Sequence, residues 1–251
     1  MAASNKEILV GRNAVHEVLK AGKRKVWRIF WAVKSNDEKS NQLAELIRSK
    51  SIPLTQTTLE KITQWSGSND HQGIAAEVAP FEYAELGAVV KAAKANQKGG
   101  FLLLLDEIQD PHNVGALIRT AHLCGADGLV LLKHRQALIT PSVCKAASGA
   151  QEYLSIVQEV NLVNVINYLK NNDFSVWGAS GKGDVPLYKT EPQFPLALVL
   201  GGEGKGLRRL TKENCDVLVT IPMEGQIDSF NVSVAGGIFM AEIMRNKLLS
   251  S

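Results

Sequence analysis

Three separated stretches carry polar residues at spacings that suit chemistry better than packing. "DPHNVGALIRTA" (110–121) has Asn113 placed to cap a helix, Gly115 in that helix's first turn, and Arg119 four residues further along the same face. "LVLGGEGKGLRRL" (198–210) runs a buried-looking strand into four glycines within six residues, with Glu203 among them. "IPMEGQIDSFNVSVAGG" (221–237) leads through Ser229 and Asn231 into a helix that opens with the small residues Ala235, Gly236 and Gly237. A guanidinium, a carboxylate, two amides and a hydroxyl are groups able to bind and orient a polar ligand. The only histidine in the set, His112, is read as structural. Arg119 stays protonated and is a poor base, and taken alone it reads as a solvated helix residue.

The glycine loop fits none of the common phosphate motifs. A P-loop needs GxxxxGK[ST], and here Gly206 follows Lys205 where Ser or Thr is required. The dinucleotide fingerprint GxGxxG starts at Gly202 and Gly204 but meets Leu207 in place of its third glycine, and it falls late in the domain. A dinucleotide-type methyltransferase would carry its glycines after the first strand, and "FLLLLD" is followed by a stretch with one glycine. Two readings remain: a ligand approached closely by the backbone of a late loop, or a tight strand-to-helix turn.

The elements that must position these loops follow from periodicity. Residues 1–79 alternate helix and strand patterns: "NAVHEVLKAG", "SNQLAELIRSK" and "TLEKITQW" as helices, "VWRIFWAV", "IPL" and "GIAAEV" as strands. Residues 80–100, "PFEYAELGAVVKAAKANQKGG", have breakers at both ends around a weak alanine-rich helix and read as a linker. From 101 to 251 strands are predicted at "FLLLLD", "GLVLL", "YLSIV", "FSVWGA", "LALVLG" and "DVLVTI", with helices near 114–124, 141–147, 161–171, 206–213 and 232–248. Uninterrupted apolar strands alternating with helices imply an α/β domain with a mostly parallel sheet covered on both faces. Ligands then sit beyond the carboxyl ends of the strands, where all three loops fall.

In order and detail the three stretches resemble the motifs of the SpoU-type (TrmH) branch of the SPOUT RNA methyltransferases. The pattern NxGxxxRxA appears as 113–121, the glycine-glutamate loop as "LGGEGKGLRRL", and the third motif as "IPM…SFNVSVA", with Phe230 where many members have leucine. The opening "GRNAVHEVL" and the later "HQGIAAEV" resemble the L30e-like substrate-binding domain of the RlmB-type 23S rRNA (guanosine-2′-O-)-methyltransferases. Antibiotic-resistance rRNA methyltransferases carry a comparable domain, and several tRNA-directed relatives lack it. The resemblance implies a deep C-terminal trefoil knot, S-adenosylmethionine as cofactor, a homodimer in which Arg119 serves the partner's site, and ribose 2′-hydroxyl methylation. It implies catalytic or orienting roles for Arg119, Asn113, Glu203, Ser229 and Asn231. Cofactor contacts carry over to Leu200, Gly201, Ile221, Met223, Ser229 and Phe230. In this reading Arg119 holds the target phosphate and stabilises the alkoxide, and Glu203 either pairs with Arg119 or accepts a proton through water. The implied partner is 23S rRNA or the assembling large ribosomal subunit; tRNA and an rRNA adenosine are the alternatives, with a non-catalytic RNA-binding protein as a rival of another class.

Charge adds a mild hint of a polyanionic partner: 28 Lys and Arg against 25 Asp and Glu give a net charge of +3. Clustering says more. "KAGKRKVWR" places Lys23, Arg24, Lys25 and Arg28 around Trp27, a set able to meet phosphates and stack on an unpaired base, and Lys133 and Arg135 form a second candidate at a strand end. Cys124, Cys144 and Cys215 are widely spaced without CxxC, so neither a disulfide framework nor a metal site is expected. The apolar runs are too short to span a bilayer. A cytoplasmic protein without membrane partner is the expectation.

Overall fold

The computed structural model describes residues 6–32, 37–67 and 69–249. The chain forms two compact units, one of residues 1–82 with 139–153, the other of 83–138 with 154–251.

The first unit is built from β1 (Glu7–Val10), α1 (Arg12–Ala21), β2 (Val26–Trp31), α2 (Glu38–Ser49), β3 (Leu54–Gln56), α3 (Leu59–Ser66) and β4 (Ile74–Val78). Its sheet has the order β1-β4-β2-β3. Helix α1 ends as its sequence demands, with Gly22 at φ 65° donating its N–H back to Val18. Strand side chains alternate, so Leu9, Ile29, Ala76 and Val78 share one fully buried face. On the other face Val10, Ala75 and Ile62 of α3 make a small core with Ile8, Phe30 and Ala32 around it.

The second unit opens with α4 (Leu86–Lys94) and β5 (Phe101–Asp106), followed by α5 (Pro111–Leu123) and β6 (Gly128–Leu132). Val89, Val90 and Ala93 of α4 are buried in this unit's core, so the 80–100 stretch read as a linker is structural from Tyr83 onward. The chain then leaves: α6 (Pro141–Ala146) and the 3-10 turn at 150–152 belong to the first unit, where α6 packs on β1. It returns for β7 (Ser155–Glu159), α7 (Leu162–Lys170), β8 (Ser175–Ala179), β9 (Val185–Pro186), β10 (Leu196–Gly201), α8 (Arg209–Asn214), β11 (Val217–Thr220) and α9 (Val232–Leu249).

These strands form one seven-stranded sheet in the order β7-β6-β5-β10-β8-β11-β9, and every pairing is parallel. All residues of β5 and β6 are buried, as continuous apolar runs covered on both faces must be. From β5 the chain first builds outward through β6 and β7. It then crosses over, and β10 later enters between β5 and β8. The order therefore reverses beside β5 and β10, which opens a crevice at their carboxyl ends. Both residues there, Asp106 and Gly201, face each other in register.

Candidate active site

The three loops converge at this edge. Asp110 caps α5, accepting the N–H of His112, and Pro111 follows at the first helical position. Asn113 is therefore not the cap expected from sequence. It sits in the first turn, 5% exposed, and is free to turn its amide elsewhere. That amide donates to Glu203 Oε1 and, at 3.1 Å, to Asp110 Oδ2. Asn231 Nδ2 donates to Asn113 Oδ1 and to Glu203 Oε1, both at 3.2 Å. Its own Oδ1 accepts from Ser233 N and Ser233 Oγ at 2.9 and 2.6 Å, capping α9. One residue from each loop is thus tied into a single network whose acceptor centre is the Glu203 carboxylate.

The glycine loop is held by residues that sequence reasoning passed over. Asp106, 1% exposed at the end of β5, takes Arg208 Nε at 2.6 Å and Arg208 N at 3.0 Å on its carboxylate. Its backbone carbonyl accepts Gly202 N at 3.0 Å, and Gly206 N closes on Gly202 O at 2.9 Å. Arg208 also reaches Glu107 at 3.1 Å. Both ends of the loop therefore hang from one buried carboxylate residue. A Cβ on Gly201 would lie 2.2 Å from the Gly206 carbonyl carbon, and one on Gly202 2.7 Å from Glu107 O. These glycines make room for the chain's own backbone, while Gly204 and Gly206 supply the positive φ of the turn, 74° and 62°. The signal available in the sequence was the single acidic residue ending an otherwise apolar strand.

The remaining candidates divide. Leu200 is buried and its side chain packs against Gly236 of α9, so only its backbone is available to a ligand. Ile221 is buried, Met223 half-buried, and Ser229 and Phe230 are exposed, the last at 43%. Among the described residues no backbone hydrogen bond involves 222–230, which leaves this loop's amides and carbonyls open beside the apolar Ile227 and Phe230. Arg119 is exposed on α5. Six residues past Asn113, it lies about 9 Å further along the axis and about 120° around it. Lys133 and Arg135 are exposed at the carboxyl end of β6, and Arg135 stands 3.8 Å from Glu107. A cavity of about 460 Å³ lies at the opposite edge, by Ser175 and Asp216 at the amino ends of β8 and β11, away from this chemistry.

In the first unit Lys23, Lys25 and Arg28 are exposed. Arg24 is not. Its side chain is 5% exposed and bonds Glu7 Oε2 at 2.5 Å, Glu152 Oε1 at 3.2 Å and the Ala79 carbonyl. It is an internal cation neutralising two carboxylates, and the phosphate-contact role expected of it is withdrawn. No group of three His, Cys, Asp or Glu among the described residues could hold a metal ion, and none of the described helices is long and apolar enough to cross a membrane.

A parallel sheet with a carboxyl-edge network of this composition defines a ligand-binding α/β domain, and comparison supplies its class. Residues 100–241 match the SpoU rRNA methylase family, and residues 8–84 match the model for RNA 2′-O ribose methyltransferase substrate binding. YacO of Bacillus subtilis (strain 168), assigned to the TrmH family of tRNA/rRNA methyltransferases, is 37% identical over 241 residues, 96% of either chain. The SpoU methyltransferase AviRb of Streptomyces viridochromogenes, crystallised with AdoMet, superposes with a TM-score of 0.80 at 19% identity, over 97% of this chain and 91% of that one. An AdoMet-bound rRNA methyltransferase from Sinorhizobium meliloti gives 0.78 at 21% identity, over 96% and 87%. The chain belongs to the SpoU/TrmH family of RNA methyltransferases.

Proposed function

We propose that this protein is an S-adenosylmethionine-dependent RNA 2′-O-ribose methyltransferase that modifies a guanosine of 23S rRNA, free or in the assembling large subunit, as a cytoplasmic homodimer. The observation that carries the reading is the Asn113–Glu203–Asn231 network, which gathers the three family motifs at the crevice beside β5 and β10. The cofactor fits the 221–230 loop: open backbone groups can bond an adenine edge, and Ile227 and Phe230 offer apolar cover. Bound there, it supplies an electrophilic methyl group on a sulfonium.

The chain's own residues then have three tasks. The glycine loop and residues 221–230 hold the cofactor. Asn113, Asn231 and Ser229 orient the nucleotide, so that alignment provides much of the acceleration. Arg119 binds the target phosphate and stabilises the 2′-oxygen as it loses its proton. Glu203 holds the network or takes that proton through water. Arg119 faces away from the Asn113 side of α5, which favours service in a partner's site. Insertion of β10 and β11 between strands formed earlier supports a knotted C-terminal segment. Lys23, Lys25, Arg28, Lys133 and Arg135 provide phosphate contacts. The rRNA assignment rests on the first domain with its "GRNAVHEVL" and "HQGIAAEV", and the guanosine preference on the overall resemblance.

The test is transfer of a labelled methyl group from AdoMet to unmodified 23S rRNA and to tRNA, with the acceptor mapped by mass spectrometry. A single 2′-O-methylguanosine in 23S rRNA is expected. Methylation confined to tRNA, or to an adenosine, overturns the substrate assignment, and AdoMet binding without any transfer overturns the enzymatic one.

A further inference from the structure

Among the described residues, one face of the first unit's sheet is only half covered. Pairing sets Ile8, Glu77 and Arg28 in one row and Val10, Ala75, Phe30 and Thr55 in the next. Helix α3 covers the second row through Ile62. Among the described residues no helix covers the first row, and its composition is not that of a surface awaiting an apolar lid. Arg28 stands exposed opposite Glu77, yet Glu77 is taken by Lys6 at 2.6 Å, and Arg28 has no partner among the described residues.

Trp27 reaches this face through an irregularity in β2. Val26 pairs with Val78 and Arg28 with Glu77, so Trp27 is one residue too many for its partner strand. Its ring lies 5.2 Å from the Lys6 ammonium, the same group that holds Glu77, and 5.9 Å from that of Lys25. Regular alternation would have turned this ring toward the buried side with Ile29. Beside the same face Trp65 of α3 is 40% exposed, its ring backed by Phe30 at 4.8 Å. Among the described residues, two partly exposed indoles and the exposed Arg28 guanidinium therefore share this side of the sheet. Partly exposed aromatic rings beside cations are what unpaired bases and their phosphates bind, whereas a duplex presents its stacked bases to neither.

Resting on the RNA-modifying reading above, we propose that this half-open sheet face receives an unpaired segment of the substrate RNA, with bases stacked on Trp27 and Trp65 and the connecting phosphate on Arg28. The unit would thus select single-stranded or looped RNA near the target and not helical shape.

Full-length protein titrated with a fluorescein-labelled, unstructured oligoribonucleotide of about ten nucleotides, followed by anisotropy, tests it. The single strand is expected to bind more tightly than the same sequence in a duplex. Trp65→Ala and Arg28→Gln should each weaken it roughly tenfold, Trp65→Phe should retain most of the affinity, and Lys39→Gln, which removes an equal charge from α2, should change little. Wild-type affinity in Trp65→Ala and Arg28→Gln, or equal binding of the duplex, overturns the proposal. AdoMet binding measured calorimetrically on the same proteins separates the two readings: its loss in the wild type condemns the methyltransferase assignment and leaves the RNA titration to stand alone.

Discussion

Asp106 and Arg208 matter at the residue scale because they fix the loop from which Glu203 reaches Asn113 and Asn231. Charge-assisted hydrogen bonds of this kind contribute about 1.5–3 kcal/mol each. Asp106→Asn removes the charge and keeps the shape, so AdoMet affinity is expected to fall about tenfold while far-UV circular dichroism is unchanged; calorimetry decides. Arg119→Ala should retain AdoMet affinity and lose about two to three orders of magnitude in kcat, the usual cost of removing one preorganised stabiliser. Burial pushes the Cys144 and Cys215 thiols up to about 12 and raises Cys124 as well. At pH 8 the first two hold almost no thiolate, so alkylation followed by peptide mapping should mark Cys124 first and the others only after unfolding. What the sequence hid at this scale is instructive. Asn113 looked like a cap because Asn caps helices well, but Asp110 three residues earlier does so with a proline behind it. Arg24 looked like its exposed neighbours because nothing local reveals Glu152, 128 residues away.

Elements were far more legible than side-chain partners. Continuous apolar runs placed β5, β6 and β10 to the residue, since a strand buried on both faces leaves no polar position to blur its ends. The four-residue β1 and the two-residue β9 escaped, being too short for a period to register. Helix α8 begins at Arg209, later than expected, because the loop closure needs Leu207 and Arg208. The small residues opening α9 were legible as a packing face, and the structure divides their roles. A Cβ on Gly236 would lie 2.3 Å from Leu117 and 2.7 Å from Leu200, whereas Gly237 meets nothing within 4 Å. Gly236→Ala is therefore expected to cost about 1–3 kcal/mol through overpacking. Gly237→Ala should stabilise by roughly 0.5–1 kcal/mol through helix propensity. Thermal denaturation of the pair checks the contrast, and equal effects would mean that α9 is not packed on α5 and β10 in this way.

At the scale of the whole molecule, the buried cation of the first unit separates a structural basic residue from the exposed ones proposed to contact RNA. Arg24→Gln leaves the Glu152 carboxylate buried without its cation, with only the Gln151 amide still donating to it, at a cost of about 3–5 kcal/mol. Lys23→Gln next to it is exposed and should stay within about 0.5 kcal/mol of the parent. Unfolding midpoints with RNA affinities on both variants give opposite patterns if the division holds: the first loses stability, the second only RNA. Glu152 comes from residues 139–153, an excursion that begins after β6 and also supplies α6 against β1, Tyr153 Oη at 2.5 Å from Glu17, and Lys145 at 2.8 Å from Asp70. The backbone consequently passes from one unit to the other three times. Exchange of the leading portion between homologous genes at a single crossover would separate this returning strip from the sheet and helices it packs with. A chimaera that keeps the first unit whole must carry both pieces together.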